Sequence, residues 1–402
     1  MTSTGERWMP LDPFFEERLR VHRRYLFDKA LGSVRSRLSA LWPFAKGPAA
    51  MTGMGGGATP AAAAPPKDTA PPKETAPPKE TAPPQDTGPE ASAAAEPVLA
   101  PNARKRARHR QAALAWDRRE LHKVGLAGPR IRTTEHVVEV PGHPDVRVRV
   151  YHPDPDDPPA QGVPGVLSFF GGAFRIGGIG YPTTDAANRR RVRDAGVAVA
   201  AVDYALAPEH PYPVAVEQAH AALEWLFDTA DELGIDARRI GVAGTSAGAN
   251  LAAAVTLINR DRGQRPLRLQ VLEVPVVDLT GGHLDLRATR ALGIPRFIAL
   301  RELRSVARTY LADPRQAREP YASPLLAASL EGLPPAVILT AEYDPLRGDG
   351  EAYGAALRRA GVDASVVRYL GVTHDTPIFT AALPAARRWH DDVVAALRRL
   401  HA

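Results

Sequence analysis

Eight short runs of apolar or alternating residues, separated by amphipathic stretches, constrain this chain more than any other feature. Arg132–Val140 and Val146–Tyr151 alternate in the two-residue rhythm of strands with one solvated face. Gly165–Phe170, Val197–Val202, Ile240–Ala243, Leu267–Val274, Ala336–Thr340 and Ala364–Tyr369 are almost continuously apolar, as strands buried on both faces must be. Between them, residues 183–194, 213–233, 247–262, 347–360 and 378–400 carry helical periodicity. Buried strands alternating with amphipathic helices predict an α/β fold with a mostly parallel central sheet, flanked by helices on both faces. Residues 281–330 interrupt the alternation with Gly281-Gly282, a mixed stretch over Leu292–Ile298 and a helical pattern over 299–312. An insertion at that place covers the end of the sheet where sites form.

The first third of the chain follows other rules. Residues 9–41 are helical in pattern, with arginines between Phe14, Phe15, Leu19, Leu26 and Leu38, and Trp42-Pro43 ends the pattern. A third of the chain's 39 prolines fall over 47–101, where a six-residue unit recurs from Pro65–Ala70 through Pro83–Gly88. Prolines at that density preclude helix and sheet pairing, so a disordered, extended linker is expected there. A second helical pattern runs from Asn102 to Val124. The expected organisation is an N-terminal helical segment over 1–46, the linker over 47–101, a further helix within 102–130, and an α/β domain over 131–402.

Composition excludes some chemistry. The chain has no cysteine, which removes disulfides, thiolate metal sites and cysteine nucleophiles together. No apolar run reaches the ~18 residues of a membrane span, and Met1–Asp12 lacks the apolar core of a secretory signal. A cytoplasmic setting is therefore expected. The formal charge of +6 comes from residues 1–46 and 101–125 and not from the α/β region. That distribution argues against nucleic-acid binding by the α/β body, and leaves Arg104–Arg110 as a weak contact for anionic surfaces.

Gly244-Thr245-Ser246-Ala247-Gly248 follows one apolar run directly and opens a helical one. A sharp strand–turn–helix corner would expose the Ser246 hydroxyl above the sheet, and it needs small neighbours at 244 and 248. A serine nucleophile needs a base, and the base an orienting acid. On this fold they follow in the order serine, acid, histidine. After Ser246 stand His283, His374, His390 and His401. His374 is favoured because it lies in the loop after the last strand; His390 reads as a helix-surface residue and His401 as part of a frayed end. Asp344 follows the preceding strand, with Glu342 the nearest rival and Asp349 and Asp375 weaker ones; a helix N-cap role for Asp344 is compatible with its position. A tetrahedral intermediate needs backbone N–H donors. Ala247 offers one, and the glycine loop of Phe170-Gly171-Gly172-Ala173-Phe174 offers others.

Four motifs in this order resemble those of the hormone-sensitive-lipase-like esterases of the α/β-hydrolase fold, over about residues 130–400. The glycine loop resembles their His-Gly-Gly-Gly oxyanion motif, and Val202–Pro213 their hallmark segment. The serine corner matches, and Asp344-Pro345-Leu346-Arg347 resembles the acid motif. The resemblance implies a serine carboxylesterase of short or medium acyl esters, working through an acyl-enzyme without metal or organic cofactor. It implies a triad of Ser246, Asp344 and His374, oxyanion donors Gly172, Ala173 and Ala247, and a helical cap over 9–41, 103–125 and 283–313. Its expected partner is a small-molecule ester. An amidase or deacetylase of a natural product, and a catalytically weak ligand-binding protein on the same scaffold, stay open as alternatives. Three positions depart from the pattern. Phe170 stands for the loop-bracing histidine, Ala173 for the third glycine, and Ala205 for an arginine. Asp375 directly follows His374 and is expected to raise its pKa.

Overall fold

The computed structural model describes residues 8–19, 101–153 and 162–402. The helix expected over 9–41 lies outside them from residue 20 onward, and so does the proline-rich linker as far as residue 100. Eight strands form one sheet: β1 (Arg132–Val138), β2 (Val146–His152), β3 (Val163–Phe169), β4 (Ala198–Asp203), β5 (Ile235–Thr245), β6 (Leu267–Glu273), β7 (Ala336–Ala341) and β8 (Ala364–Tyr369). Their spatial order is β1-β2-β4-β3-β5-β6-β7-β8. Strand β2 runs antiparallel to both neighbours, and β4 through β8 are mutually parallel. This is the mostly parallel sheet that the apolar runs predict. Its central strands are the most buried: Val148, Val150, Leu167, Ala200, Val242 and Leu272 have no accessible surface.

The α-helices described from residue 101 onward are α1 (Pro101–Val124), α2 (Pro182–Ala195), α3 (Val214–Asp228), α4 (Ala247–Ile258), α5 (Leu286–Ala291), α6 (Arg296–Tyr310), α7 (Arg347–Arg359) and α8 (Pro384–Arg398). The chain steps from β3 outward to β4, then back past β3 to β5. Right-handed crossovers therefore put α2 and α3 on opposite faces. The reversal also sets the chain exits of β3 and β5 side by side, at the carboxyl ends of adjacent strands, where crevices form in open α/β sheets.

Three helix ends differ from expectation for local reasons. The helix expected over 213–233 stops at Asp228, and the chain turns through 229–234 with Gly234 at φ +71°. The helix expected over 247–262 is α-helical to Ile258 and then widens into a π turn over Asn259–Gly263. The last helix starts at Pro384 and not near 378, because proline fits a helix's first turn and not its interior.

Residues 8–19 dock on the body. The Met9 N–H donates to Glu342 Oε1 at 3.1 Å, and the Tyr343 hydroxyl donates to the Met9 carbonyl at 2.6 Å. Asp12 N–H donates to the carbonyl of Gly371 at 2.8 Å. Residues 13–19 are helical; Phe15 is buried, its ring edge-on to Phe379 at 5.5 Å, and the Arg18 guanidinium lies 4.6 Å from the Phe379 ring. Phe15→Ala should therefore destabilise the protein by about 3 kcal/mol, read as a lower urea midpoint; an unchanged midpoint would mean that this segment contributes nothing to the folded core.

Candidate active site

Strand β5 ends at Thr245 and helix α4 begins at Ala247, leaving Ser246 alone at the corner. Its backbone sits at φ 55°, ψ −115°, a conformation that side chains rarely adopt. The Ser246 N–H donates to the Glu273 carbonyl at 2.8 Å, and the Ser246 carbonyl accepts from Asn250 N–H at 3.1 Å. The glycines flanking the serine are needed for space. A Cβ at Gly244 would collide with the carbonyl of Gly248, and one at Gly248 with the carbonyls of Phe169 and Phe170. The corner is compressed between strand and helix, and that compression holds the hydroxyl out.

His374 lies five residues beyond β8. Its Nε2 is 3.0 Å from Ser246 Oγ and its Nδ1 is 2.6 Å from Asp344 Oδ2. Asp344 is 2% exposed, three residues before α7 starts, and its Oδ1 accepts the Leu346 N–H at 3.0 Å. That bond closes a turn ahead of the helix; the N-cap itself is Leu346 and not Asp344. Burial works against a charged imidazole. The Asp344 charge and hydrogen bond, with the Asp375 charge behind them, outweigh it and raise His374 from 6.5 to about 9. The ring still keeps 34% of its side-chain surface accessible, so a reactant can approach it.

The rivals are engaged elsewhere. Glu342 accepts the N–H groups of Met9 and Gly371. Asp349 is fully buried; burial pushes it up to about 8 against the two backbone donors Val277 and Asp278. His283 pairs with Asp278 and His390 with Asp194, both at 2.8 Å. His390 is largely enclosed and not a surface residue, and His401 is tied by Nε2 to the Ala195 carbonyl at 2.9 Å and not frayed.

The loop after β3 passes beside the serine. A Cβ at Gly171 would touch Ser246 Cβ, and one at Gly172 (φ +144°) would strike the Ile176 carbonyl. Ala173 and Phe174 follow at φ 53° and 59°, left-handed without the freedom of glycine. The N–H groups of Gly172, Ala173 and Ala247 make no hydrogen bond to any described residue. Phe170 braces this loop by another route than a histidine would. Its ring stacks on Tyr204 at 4.1 Å, and the Tyr204 hydroxyl donates to the Phe170 carbonyl at 2.8 Å.

A family model described as the alpha/beta hydrolase fold matches residues 166–378. Carboxylesterase NlhH of Mycobacterium tuberculosis is 36% identical over 278 residues, 68% of this chain and 85% of the relative. The chain belongs to the α/β-hydrolase family. Within it, this hydrolase groups with the hormone-sensitive-lipase-like esterases. Ethyl acetate hydrolase of Pseudomonas putida is 36% identical over 57% of this chain and 70% of its own. Among solved structures, EstE1, a thermophilic carboxylesterase cloned from a metagenomic library, is 39% identical with a TM-score of 0.66, over 73% of this chain and 97% of that one.

A cavity of about 370 Å³ opens at Ser246, at the small end of the range for ligand sites. Ala113 and Trp116 of α1, the glycine loop, Pro377 and Ile378 contribute to its walls. Helix α1 is fastened there by Arg106 and Arg110, which both pair with Glu209, so these two members of the basic stretch are occupied. Helix α6 packs on the glycine loop through Tyr310, stacked on Phe174 at 3.7 Å. The hydrolase also carries site residues that periodicity does not single out. Glu273, 1% exposed, accepts from Arg191 at 2.6 Å, Thr245 Oγ1 at 3.0 Å and Trp389 Nε1 at 2.8 Å, and all four residues line the cavity. A glutamate inside an apolar strand, and the run Arg189-Arg190-Arg191 on a core-facing helix, were the signals available in the sequence.

Gly244→Ala should lower stability by about 1–3 kcal/mol in urea unfolding. Gly180→Ala, where a Cβ meets open space, should stay within about 0.5 kcal/mol; equal losses in both would refute the compressed corner. In a histidine-ring NMR titration the His374 midpoint should lie well above 6.5, fall in Asp375→Asn, and fall further in Asp344→Asn. Removing an opposite charge weakens the imidazolium, so a midpoint that rises in either variant would contradict this account.

Proposed function

We propose that the protein is a serine carboxylesterase in which Ser246, His374 and Asp344 form the catalytic relay. The observation that carries the roles is one continuous line of hydrogen-bond distances, 2.6 Å from Asp344 to His374 and 3.0 Å from His374 to Ser246. Ser246 Oγ attacks the ester carbonyl carbon while His374 Nε2 takes its proton. The carbonyl oxygen becomes an oxyanion, received by the free N–H groups of Gly172, Ala173 and Ala247 at the start of α4, where the helix dipole favours negative charge. The intermediate collapses, the C–O bond breaks, and His374 returns the proton to the departing alcohol. Water then attacks the acyl-enzyme by the same route, releasing the acid and restoring Ser246. Asp344 fixes the ring with Nδ1 protonated and stabilises the imidazolium throughout.

The modest volume and partly apolar walls of the cavity favour short or medium acyl esters. Residues 8–19, α1 and the α5–α6 insertion are read as the cap over this cavity. The base must be neutral to accept a proton. Because His374 is raised to about 9, kcat/KM should climb with pH from neutrality toward that value. p-Nitrophenyl esters of graded chain length should be turned over, and Ser246→Ala should lose about 10⁴-fold or more in kcat. Equal rates in wild type and variant would end the proposal.

A further inference from the structure

Helix α2 sends two adjacent arginines into the Ser246 cavity, and they are not equivalent. Arg191 is satisfied in large part by Glu273 at 2.6 Å. Arg190 is only 7% exposed, and among the described residues it has no carboxylate within ion-pair distance. A guanidinium carries five N–H donors. Arg190 gives one from Nη1 to the Leu126 carbonyl, and its Nε, like that of Arg191, is buried without a partner. Burial first, and then the neighbouring Arg191 charge, lower Arg190 to about 10, so it stays cationic at neutral pH. A cation held in the interior with one carbonyl partner is costly unless something supplies a counter-charge.

Three of the protein's own carboxylates near this cavity, Glu273, Asp117 and Asp194, are already committed, and Asp375 is exposed beside His374. Glu273 is saturated by Arg191, Thr245 and Trp389. Asp117 accepts the N–H and hydroxyl of Thr183. Asp194, one helical turn beyond Arg190, is taken by Arg193 and His390. Asp375 adjoins His374, whose pKa it raises. The cavity that contains Ser246 is thus also lined by a buried guanidinium that, among the described residues, has no carboxylate at ion-pair distance, the nearby Asp194 charge being shared with Arg193 and His390.

We propose that Arg190, with Arg191 beside it, receives a carboxylate carried by the substrate, so that the preferred esters are acidic ones. This rests on the esterase reading and narrows it to a substrate class. The carboxylate could sit on either arm of the ester: a half-ester of a dicarboxylic acid carries it on the acyl side, and an acylated hydroxy acid carries it on the alcohol side. In both, the uncharged ester group reaches Ser246 while the far carboxylate meets the guanidinium, and charge-assisted pairing fixes the register.

The test is a pH-stat comparison in two matched pairs, monoethyl adipate against ethyl hexanoate, and the acetate ester of hydroxyhexanoic acid against hexyl acetate. In at least one pair the acid should exceed its neutral partner in kcat/KM by about tenfold, a difference of about 1.4 kcal/mol. That ratio should collapse in Arg190→Gln and partly survive in Arg190→Lys. A purely structural role would lower both members of a pair together and leave the ratio untouched, which overturns the proposal. In the wild-type protein, which requires no variant to fold, free adipate should compete with ethyl hexanoate, raising KM at constant kcat; absence of competition also overturns it. Turnover of neutral esters with no acidic preference sinks this inference alone, whereas failure on every ester removes the esterase reading and this one with it.

Discussion

The site depends on one strained residue being held in place from several sides. Ser246 occupies a backbone conformation that costs about 1–3 kcal/mol for a residue with a side chain. It persists because its N–H is bound by the carbonyl at the end of β6, its carbonyl by the first turn of α4, and its glycine neighbours by contacts that leave no room for a methyl group. Each restraint comes from a different element, so the strain cannot relax locally. Sheet, helix and glycine loop must all be in register before the hydroxyl stands within reach of His374. Fold stability and site geometry are therefore coupled at this corner.

The strands were legible because burial on both faces demands continuous apolar residues, and the parallel sheet followed from their alternation with helices. The serine corner was legible for a steric reason, since only small residues tolerate the approach of Gly244 to Gly248. His374 and Asp344 stood out by position after successive strands, and they lie within hydrogen-bond distance of each other and, through His374, of Ser246. Less visible was the sorting among neighbouring acids. Glu342 and Asp344 are two residues apart, yet one turns to Met9 and Gly371 and the other to His374. One of Glu342's two donors, Met9, stands more than three hundred positions away in the chain. Helix ends depart from periodicity where a local device outweighs it, as at Pro384 and at the π turn after Ile258.

The departures from the family pattern show how a role can change chemistry and keep its place. A histidine in the oxyanion loop would brace it by hydrogen bonding. Phe170 uses stacking against Tyr204, whose hydroxyl then reaches back to the loop's own carbonyl. The next turn of the loop is held by Phe174 stacked on Tyr310 of α6. Two aromatic stacks thus fasten the loop at both ends, one to the hallmark segment and one to the insertion. Stacking is less directional than a hydrogen bond, but two buried stacks restrict translation and tilt together. The left-handed backbone at Ala173 and Phe174 is tolerable only with such support.

Charge is distributed with the same economy of partners. Asp349 is buried without a cation and rises to about 8, where the neutral acid prevails at pH 7. Asp344, almost as buried, has an imidazole against it and a backbone donor on its other oxygen. Glu273 has an arginine, a hydroxyl and an indole N–H. In each case the interior either neutralises the group or completes its shell, as the cost of a bare buried charge requires. Glu273 does a second thing, because its backbone carbonyl holds the Ser246 N–H while its side chain ties β5, α2 and α8 together. Arginine cannot escape burial as a carboxylic acid can, since its charge persists to high pH. Arg190, buried in the wall of the Ser246 cavity with one carbonyl partner, is the exception among these groups.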